Sequence, residues 1–178
     1  TPKQVPPRFD YAVKIEGPLL RVIHAAARDL WARVTWTHLR REWRHTKGLP
    51  AAVHSCGEQR AALVTRDNLR HRRDIEQAYL NAIAGAKQEI IIANAYFLPG
   101  RNFRRALVNA AARGVRVILL LQGRVEYVLL HYASRALYGY FLDAGVEIYE
   151  YHKSFMHAKV AVMDGYWATV GSSNIDPF

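Results

Sequence analysis

The sequence predicts an α/β fold in which helices flank a largely parallel mixed sheet that ends in an antiparallel hairpin. Strand-sized apolar runs alternate with segments of helical apolar spacing through most of the 178 residues. The longest purely apolar runs, such as Val117–Leu121, are much too short to cross a membrane. Near its end the chain has two alternating apolar runs around Asp164-Gly165, a dipeptide that two-residue hairpin turns prefer.

The first third of the chain predicts one strand, one helix and a connection. Val13–Ile15 are predicted to form a short strand that Gly17-Pro18 ends. Proline suits the first turn of a helix, and the apolar residues that follow keep helical spacing to about Trp36. A polar, basic connection then runs from Arg40 to about Gly57.

Strands and helices alternate in the remainder of the chain. The predicted elements are a strand at Ala61–Thr65, a helix at Asp74–Ala84, a strand at Glu89–Ala95, a helix at Asn102–Arg113, a strand at Val115–Leu121, a helix at Glu126–Ala144 and a strand at Val146–Tyr149. Gly145 ends the long helix. Such alternation is typical of a parallel sheet with helices on its faces.

The final hairpin predicts a functional site. Its two-residue turn sets Met163 opposite Tyr166, so Lys159 pairs with Val170. Side chains two residues apart share a face of a strand, as do paired residues on neighbouring strands. Four polar side chains therefore converge on one patch: His157, Lys159, Ser172 and Asn174. An imidazole, a fixed positive charge, a hydroxyl and an amide are what binding and attacking a phosphodiester requires.

In order, these residues form H-x-K-x4-D-x6-G-S-x-N, which resembles the signature of the phospholipase D superfamily at all six defined positions. The alternative is an ordinary buried hairpin with a satisfied histidine. Three further segments, Ala95–Pro99, Ala111–Val115 and Ala144–Tyr151, resemble the cardiolipin synthase branch of that superfamily. Asp10–Pro18 resembles the segment that follows the first signature in two-signature enzymes.

The resemblance implies a phospholipase D-like sandwich and assigns roles to individual residues. The catalytic residues would be His157, Lys159 and Asp164, and the phosphate-binding residues Lys159, Ser172 and Asn174. Asp164 is seven residues from His157, roughly 23 Å along an extended strand at about 3.3 Å per residue. We therefore expect Asp164 to be a turn and scaffold residue that belongs to the site by motif.

Asp10 is the candidate for a histidine-orienting carboxylate. By resemblance it would serve the histidine of a first signature, expected upstream of Thr1, while the carboxylate for His157 itself would lie beyond Phe178. A solvated residue ahead of a strand is the alternative for Asp10.

The resemblance also implies a mechanism without a cofactor. Two signatures meet at a shared site, where one histidine forms a phosphohistidine intermediate and the other protonates the departing alcohol. We expect no metal, since the single cysteine, Cys56, and the other histidines show no metal-ligand spacing. The isolated chain has one signature histidine, so we expect it to be inactive as a monomer.

For the organisation of the chain, the resemblance implies three parts. Residues 1–38 would be the tail end of a first phospholipase D-like lobe, residues 39–59 a linker, and residues 60–178 a second lobe truncated at its carboxyl terminus. The partner of the site would be the missing first lobe or a second copy of the chain.

The net charge of +10 favours an anionic partner, either phospholipid headgroups or nucleic acid. The resemblance favours a phospholipid substrate at a membrane surface over nucleic acid. It implies a location at the bacterial cell membrane, peripheral or anchored by an absent segment, on the cytoplasmic side.

The sequence thus predicts a cardiolipin synthase-like phosphatidyltransferase that acts on phospholipid phosphodiesters. One alternative is a phospholipase D-type phosphodiesterase that hydrolyses lipid or nucleic acid. A second is a non-catalytic fragment that binds membranes or has a structural role.

Overall fold

The computed structural model describes residues 7–37, 54–55, 57–66, 71–125 and 127–176. Two compact units divide the chain, one of residues 13–65 and one of residues 1–12 and 66–178. Most of the basic connection predicted for residues 40–57 lies outside the described residues. The division into residues 1–38, 39–59 and 60–178 stays a prediction.

The unit of residues 13–65 contains the helix α1 (Leu19–Thr37), which confirms the helix predicted to run to about Trp36. The strands predicted at Val13–Ile15 and Ala61–Thr65 are wrong, because these residues are described and are not in strands. A strand needs a neighbour to accept and donate its hydrogen bonds, and none of the described residues pairs with them. A short apolar run carries no information about such a neighbour.

The other unit contains a single five-stranded sheet. Its strands are β1 (Glu89–Asn94), β2 (Arg116–Gln122), β3 (Glu147–Tyr151), β4 (Lys159–Met163) and β5 (Trp167–Val170). The strand order is β3-β2-β1-β4-β5. β1, β2 and β3 are parallel, whereas β4 is antiparallel to both β1 and β5. The predicted mixed sheet with a terminal hairpin is thereby confirmed.

Three helices bury side chains in one apolar cluster with this sheet: α2 (Asp74–Gly85), α3 (Arg101–Ala112) and α5 (Tyr138–Leu142). A further helix, α4 (Val128–Arg135), has no buried residue. Buried residues at helical spacing on α2 and α3, such as Phe103 and Leu107, pack in one apolar cluster with Ile90 and Ile92 of β1, which are fully buried. No helix of the described residues is long and apolar enough to span a membrane.

The long helix predicted over Glu126–Ala144 is instead two short helices, α4 and α5. Between them the amide of Leu137 donates to the carbonyl of Ser134, a three-residue spacing that tightens the turn. α5 buries Phe141 in the core, whereas α4 has no buried residue. The uniform apolar content of this segment concealed that only its second part packs against the sheet. Gly145 follows α5 with a φ of +80°, as predicted for the residue that ends this helical region.

The predicted hairpin register is wrong by one residue. Asp164 and Gly165 both have positive φ, and the amide of Tyr166 donates to Met163, as expected for a tight two-residue turn. However, Met163 pairs with Trp167 rather than with Tyr166. Tyr166 is an extra, highly exposed residue that bulges out of the ladder.

Candidate active site

The backbone around Phe9 positions the signature histidine. Phe9 forms a parallel bridge with Met156, just before β4. Its amide donates to the carbonyl of Phe155 at 2.8 Å, and its carbonyl accepts the amide of His157 at 2.8 Å. This pairing holds the residue after Phe9, Asp10, beside His157, although the two are 147 positions apart in the sequence.

Asp10, His157 and Lys159 form a chain of polar contacts. Asp10 Oδ2 lies 3.1 Å from His157 Nδ1, and Lys159 Nζ lies 3.0 Å from His157 Nε2. Lys159 Nζ also donates to the carbonyl of His157 at 2.9 Å. A carboxylate accepts and an ammonium donates, so the two contacts fit a neutral imidazole with its proton on Nδ1. The lone pair is then on Nε2, the nitrogen that can act as a nucleophile.

The position of Asp10 corrects the prediction made for it. The resemblance assigned Asp10 to the histidine of a first signature and placed the carboxylate for His157 beyond Phe178. In the structure Asp10 contacts His157 itself. Sequence position could not reveal this contact, because it depends on the bridge between Phe9 and Met156.

The surroundings of Asp10 favour its charged form. Desolvation raises the pKa of Asp10, but the hydrogen bonds with the Tyr11 amide and with His157 and the positive charge of Lys159 outweigh it and lower the pKa below 3.8. Asp10 therefore stays ionised at neutral pH, as a residue that orients an imidazole must.

Lys159 is a buried cation at the end of the sheet where β1 ends and β4 begins. Only 5% of it is exposed, and it pairs in register with Asn94, the last residue of β1. Its ammonium lies 5.9 Å from the ring centroid of Tyr96. Asn94 is fully buried, and its Nδ2 has no hydrogen-bond partner. This end of the sheet therefore offers a buried positive charge and a buried amide donor without a hydrogen-bond partner, which together suit an anionic ligand.

Asp164 is engaged elsewhere. Its Oδ1 accepts the amides of Gln88 and Glu89 at 2.9 and 2.8 Å, and its Oδ2 accepts the amide of Lys87 at 2.8 Å. These bonds, with that of Glu89 first in effect, lower the pKa of Asp164. The carboxylate ties the hairpin turn to the start of β1, so its contacts are those of a scaffold residue.

Ser172 and Asn174 follow β5, where the pairing with β4 has ended. Ser172 is exposed. Asn174 Oδ1 is buried and has no hydrogen-bond partner. The corrected register places Gly171 opposite Lys159, where its amide donates to the Lys159 carbonyl at 3.1 Å. The phosphate-binding roles of Ser172 and Asn174 stay predictions.

A shallow pocket adjoins this site, and sequence reasoning missed one of its residues. Gln122, the last residue of β2, lines the pocket together with Tyr96. Gln122 is 7% exposed and its Nε2 has no partner, while its Oε1 accepts the amide of Arg124 at 3.4 Å. A polar residue directly after an apolar strand is the signal that could have identified it.

Arg124 fixes the loop that leads to His157. Its Nε donates to the carbonyl of His152 at 2.9 Å, and a terminal nitrogen donates to that of Lys153 at 3.1 Å. The neighbouring Gly123 packs so closely against the His152 ring that a Cβ atom there would lie 2.4 Å from it. A side chain at this position would therefore require the His152 ring to move.

Among the described residues, no group of three or more histidine, cysteine, aspartate or glutamate side chains is placed to hold a metal ion. The only groups assembled around His157 Nε2 and Nδ1 in the contacts above are an ammonium and a carboxylate. This set can orient an imidazole and neutralise negative charge on a phosphoryl group.

Comparison with known families shows which family the sheet and its signature hairpin match. Residues 79–177, more than half of the chain, match the family described as "Cardiolipin synthase, PLD-like domain". This region includes every strand of the sheet and the whole signature.

Two groups of curated relatives are similar to this chain. Cardiolipin synthase B of Escherichia coli K12 is 43% identical over 94% of this chain. A cardiolipin synthase of Geobacillus thermodenitrificans is 43% identical over 57% of it. The chain spans 40% of the length of the first and 20% of the second. Among solved structures, the phospholipase D family member Nuc from Salmonella typhimurium is 28% identical, with a TM-score of 0.48 over 57% of this chain and 65% of that one.

Proposed function

Because its family match covers the sheet and the signature, the chain belongs to the cardiolipin synthase, phospholipase D-like domain family, and we propose that it transfers phosphatidyl groups between alcohols at phospholipid phosphodiesters. The observation that carries the proposal is the chain of contacts from Asp10 through His157 to Lys159. It supplies an oriented imidazole with its lone pair beside a buried positive charge.

In the first half of the proposed reaction, His157 Nε2 attacks phosphorus. The Nε2–P bond forms as the bond between phosphorus and the leaving alcohol oxygen breaks, and the electron pair goes to that oxygen. An arriving phosphoryl oxygen takes over the hydrogen bond that Lys159 Nζ now donates to Nε2. The substrate thus frees the lone pair of the nucleophile as it binds.

In the second half, the hydroxyl of an acceptor attacks the phosphohistidine. The new P–O bond forms, the P–Nε2 bond breaks, the imidazole is regenerated, and the hydroxyl proton passes to the second histidine proposed below, which has given its own proton to the leaving alcohol. Asp10 stabilises the positive charge that develops on the ring while Nε2 is bonded to phosphorus. The same step with water as acceptor gives hydrolysis.

His157 cannot be the nucleophile and also the acid that protonates the leaving alcohol in the same half-reaction. We therefore propose that a second signature histidine completes the site. It would come from another phospholipase D-like lobe or from a second copy of this chain.

An apolar surface beside the pocket supports a lipid substrate rather than a nucleic acid. On and just before α4, the side chains of Tyr127, Leu129 and Tyr132 are 57%, 85% and 65% exposed. Aromatic and leucine side chains of this kind insert favourably at a membrane interface, whereas nucleic acid binding depends on basic contacts to phosphate. The net charge of +10 adds attraction to anionic lipid.

The test uses a chimera in which this chain replaces its matching segment of E. coli cardiolipin synthase B. Purified chimera is incubated with vesicles of labelled phosphatidylglycerol, and in parallel with labelled DNA. We expect cardiolipin from the vesicles and no cleavage of DNA. His157→Ala should abolish the product, while His24→Ala, an exchange of a histidine on α1, should leave it unchanged.

Trapping the intermediate provides a second measurement. Reactions with phosphorus-labelled lipid, quenched with denaturant at alkaline pH so that the P–N bond survives, should leave label on the wild-type chimera and none on the His157→Ala protein. A chimera that folds, keeps label off His157 and cleaves DNA instead of lipid would contradict the proposal.

A further inference from the structure

We propose that the pocket beside Lys159 is a subsite for the neutral polyol part of the substrate headgroup, with Gln122 as the residue that recognises its hydroxyl groups. This inference rests on the proposed function, because the phosphodiester at Lys159 sets the place of the headgroup. It adds a ligand and a specificity residue to the site.

The first observation is the unused donor of Gln122. The side chain is 93% buried, and Nε2 has no hydrogen-bond partner although Oε1 is engaged by the amide of Arg124. A buried N–H without an acceptor costs free energy, so such groups are rare unless a ligand or water satisfies them. Gln122 also lines the pocket, and a ligand oxygen there could accept this hydrogen bond.

The second observation is the chemistry of the pocket wall. Beside Gln122 it is formed mainly by side chains with a hydroxyl or imidazole group: Tyr96, Tyr127, His131, Ser134 and Tyr138. The one cation of this wall, Arg124, donates hydrogen bonds to the carbonyls of His152 and Lys153. Neutral donors and acceptors next to aromatic faces suit a polyol better than a second phosphate.

The third observation is how the pocket joins the reacting centre. Tyr96 lines the pocket, and its ring centroid is 5.9 Å from Lys159 Nζ. A phosphoryl group held by Lys159 would therefore place its esterified alcohol at the mouth of the pocket. The pocket is open to solvent on one side, so a headgroup can enter it from the surface.

The experiment measures binding to the chain as it is, by isothermal titration. The probes are glycerophosphoglycerol, a phosphodiester with free glycerol hydroxyls, and diethyl phosphate, a phosphodiester without hydroxyls. Gln122→Met removes the amide but keeps the length of the side chain. We expect it to weaken glycerophosphoglycerol about fivefold, the effect of one net hydrogen bond, and to leave diethyl phosphate unchanged.

Two further variants sharpen the result. Gln122→Glu replaces the Nε2 donor by an acceptor, which a hydroxyl can satisfy by donating and a phosphoryl oxygen cannot. Retained glycerophosphoglycerol binding in this variant supports a hydroxyl as the ligand group, and it keeps the test valid if Gln122→Met fails to fold. Gln77→Met, at an exposed glutamine on α2, is the matched control and should bind both probes as the wild type does.

The outcomes separate this inference from the proposed function. Equal glycerophosphoglycerol affinity in the wild type and Gln122→Met would overturn the polyol subsite and leave the phosphodiester site intact. A wild-type chain that binds neither probe would overturn the phosphodiester site together with the subsite. Loss of glycerophosphoglycerol binding in Gln122→Glu, with diethyl phosphate binding retained, would overturn the assignment of a hydroxyl, because a hydroxyl could still donate to the carboxylate.

Discussion

Lys159→Met should separate the catalytic role of the buried lysine from its effect on folding. Lys159 is 5% exposed, and its Nζ donates to Nε2 and to the carbonyl of His157. Methionine keeps an unbranched, flexible side chain in the same space and removes the charge. The variant therefore tests whether the ammonium is present for stability or for a phosphoryl group.

For catalysis we expect a large loss. A preorganised donor that stabilises developing negative charge in a water-poor site contributes roughly 10²- to 10³-fold to turnover, about 3–4 kcal/mol. The ammonium of Lys159 is such a group, since it is held at 3.0 Å from His157 Nε2, the proposed nucleophile. Cardiolipin formation by the chimera with E. coli cardiolipin synthase B should fall by that factor, whereas Lys87→Met, at an exposed lysine, should have no effect.

For stability we expect little change or a gain. The variant loses the hydrogen bonds to Nε2 and to the carbonyl of His157, each worth about 1 kcal/mol. It also avoids the desolvation of a buried ammonium, which costs several kcal/mol per ion. Thermal unfolding of the chain should therefore show an unchanged or higher midpoint. A lower midpoint with full turnover would refute this reasoning.

Three further predictions follow from individual contacts. Asp10→Asn should lower turnover by orders of magnitude with little loss of phosphodiester binding. Because the pKa of Asp10 is lowered in the folded chain, its stabilising contact with His157 is fully present above pH 3.8 and is lost as the pH falls through the folded pKa. Turnover measured against pH should therefore show no decline due to Asp10 above pH 3.8. Asp164→Ala should reduce the thermal midpoint more than Asp164→Asn does. Asparagine tolerates the φ of +53°, and its side-chain oxygen can still accept two of the three amide hydrogen bonds. Calorimetry of both variants measures the difference. Gly123→Ala should displace the His152 ring, visible as altered imidazole NMR shifts of His152, and an unchanged ring environment would contradict the close packing.

Much of the fold could be predicted because its signals are local. The helices at Asp74–Gly85 and Arg101–Ala112 carry apolar stripes at helical spacing, and the parallel strands are short apolar runs between them. Such patterns depend only on which face of an element is buried. The prediction of a strand at Ala61–Thr65 was wrong because an apolar run becomes a strand only when another strand pairs with it. That pairing is not a local feature of the sequence.

The register of the hairpin could not be predicted from local sequence patterns. Asp164-Gly165 correctly predicted a tight turn, yet one bulged residue, Tyr166, shifted the register. A shift of one residue exchanges the faces of a strand. Ser172 is consequently not the partner of His157 in a continued ladder, and a pattern of residue types could not show this.

The contact between Asp10 and His157 has a further consequence for how the site assembles. The signature supplies an imidazole and an ammonium within three residues, so these two groups lie together as soon as β4 forms. The carboxylate comes from the other end of the chain and reaches His157 only after Phe9 has paired with Met156. Orientation of the imidazole is therefore coupled to tertiary folding, and the proposed nucleophile has a fixed lone pair only in the folded chain. Pairing at Phe9, rather than the hairpin alone, completes the contacts of His157 in the candidate site.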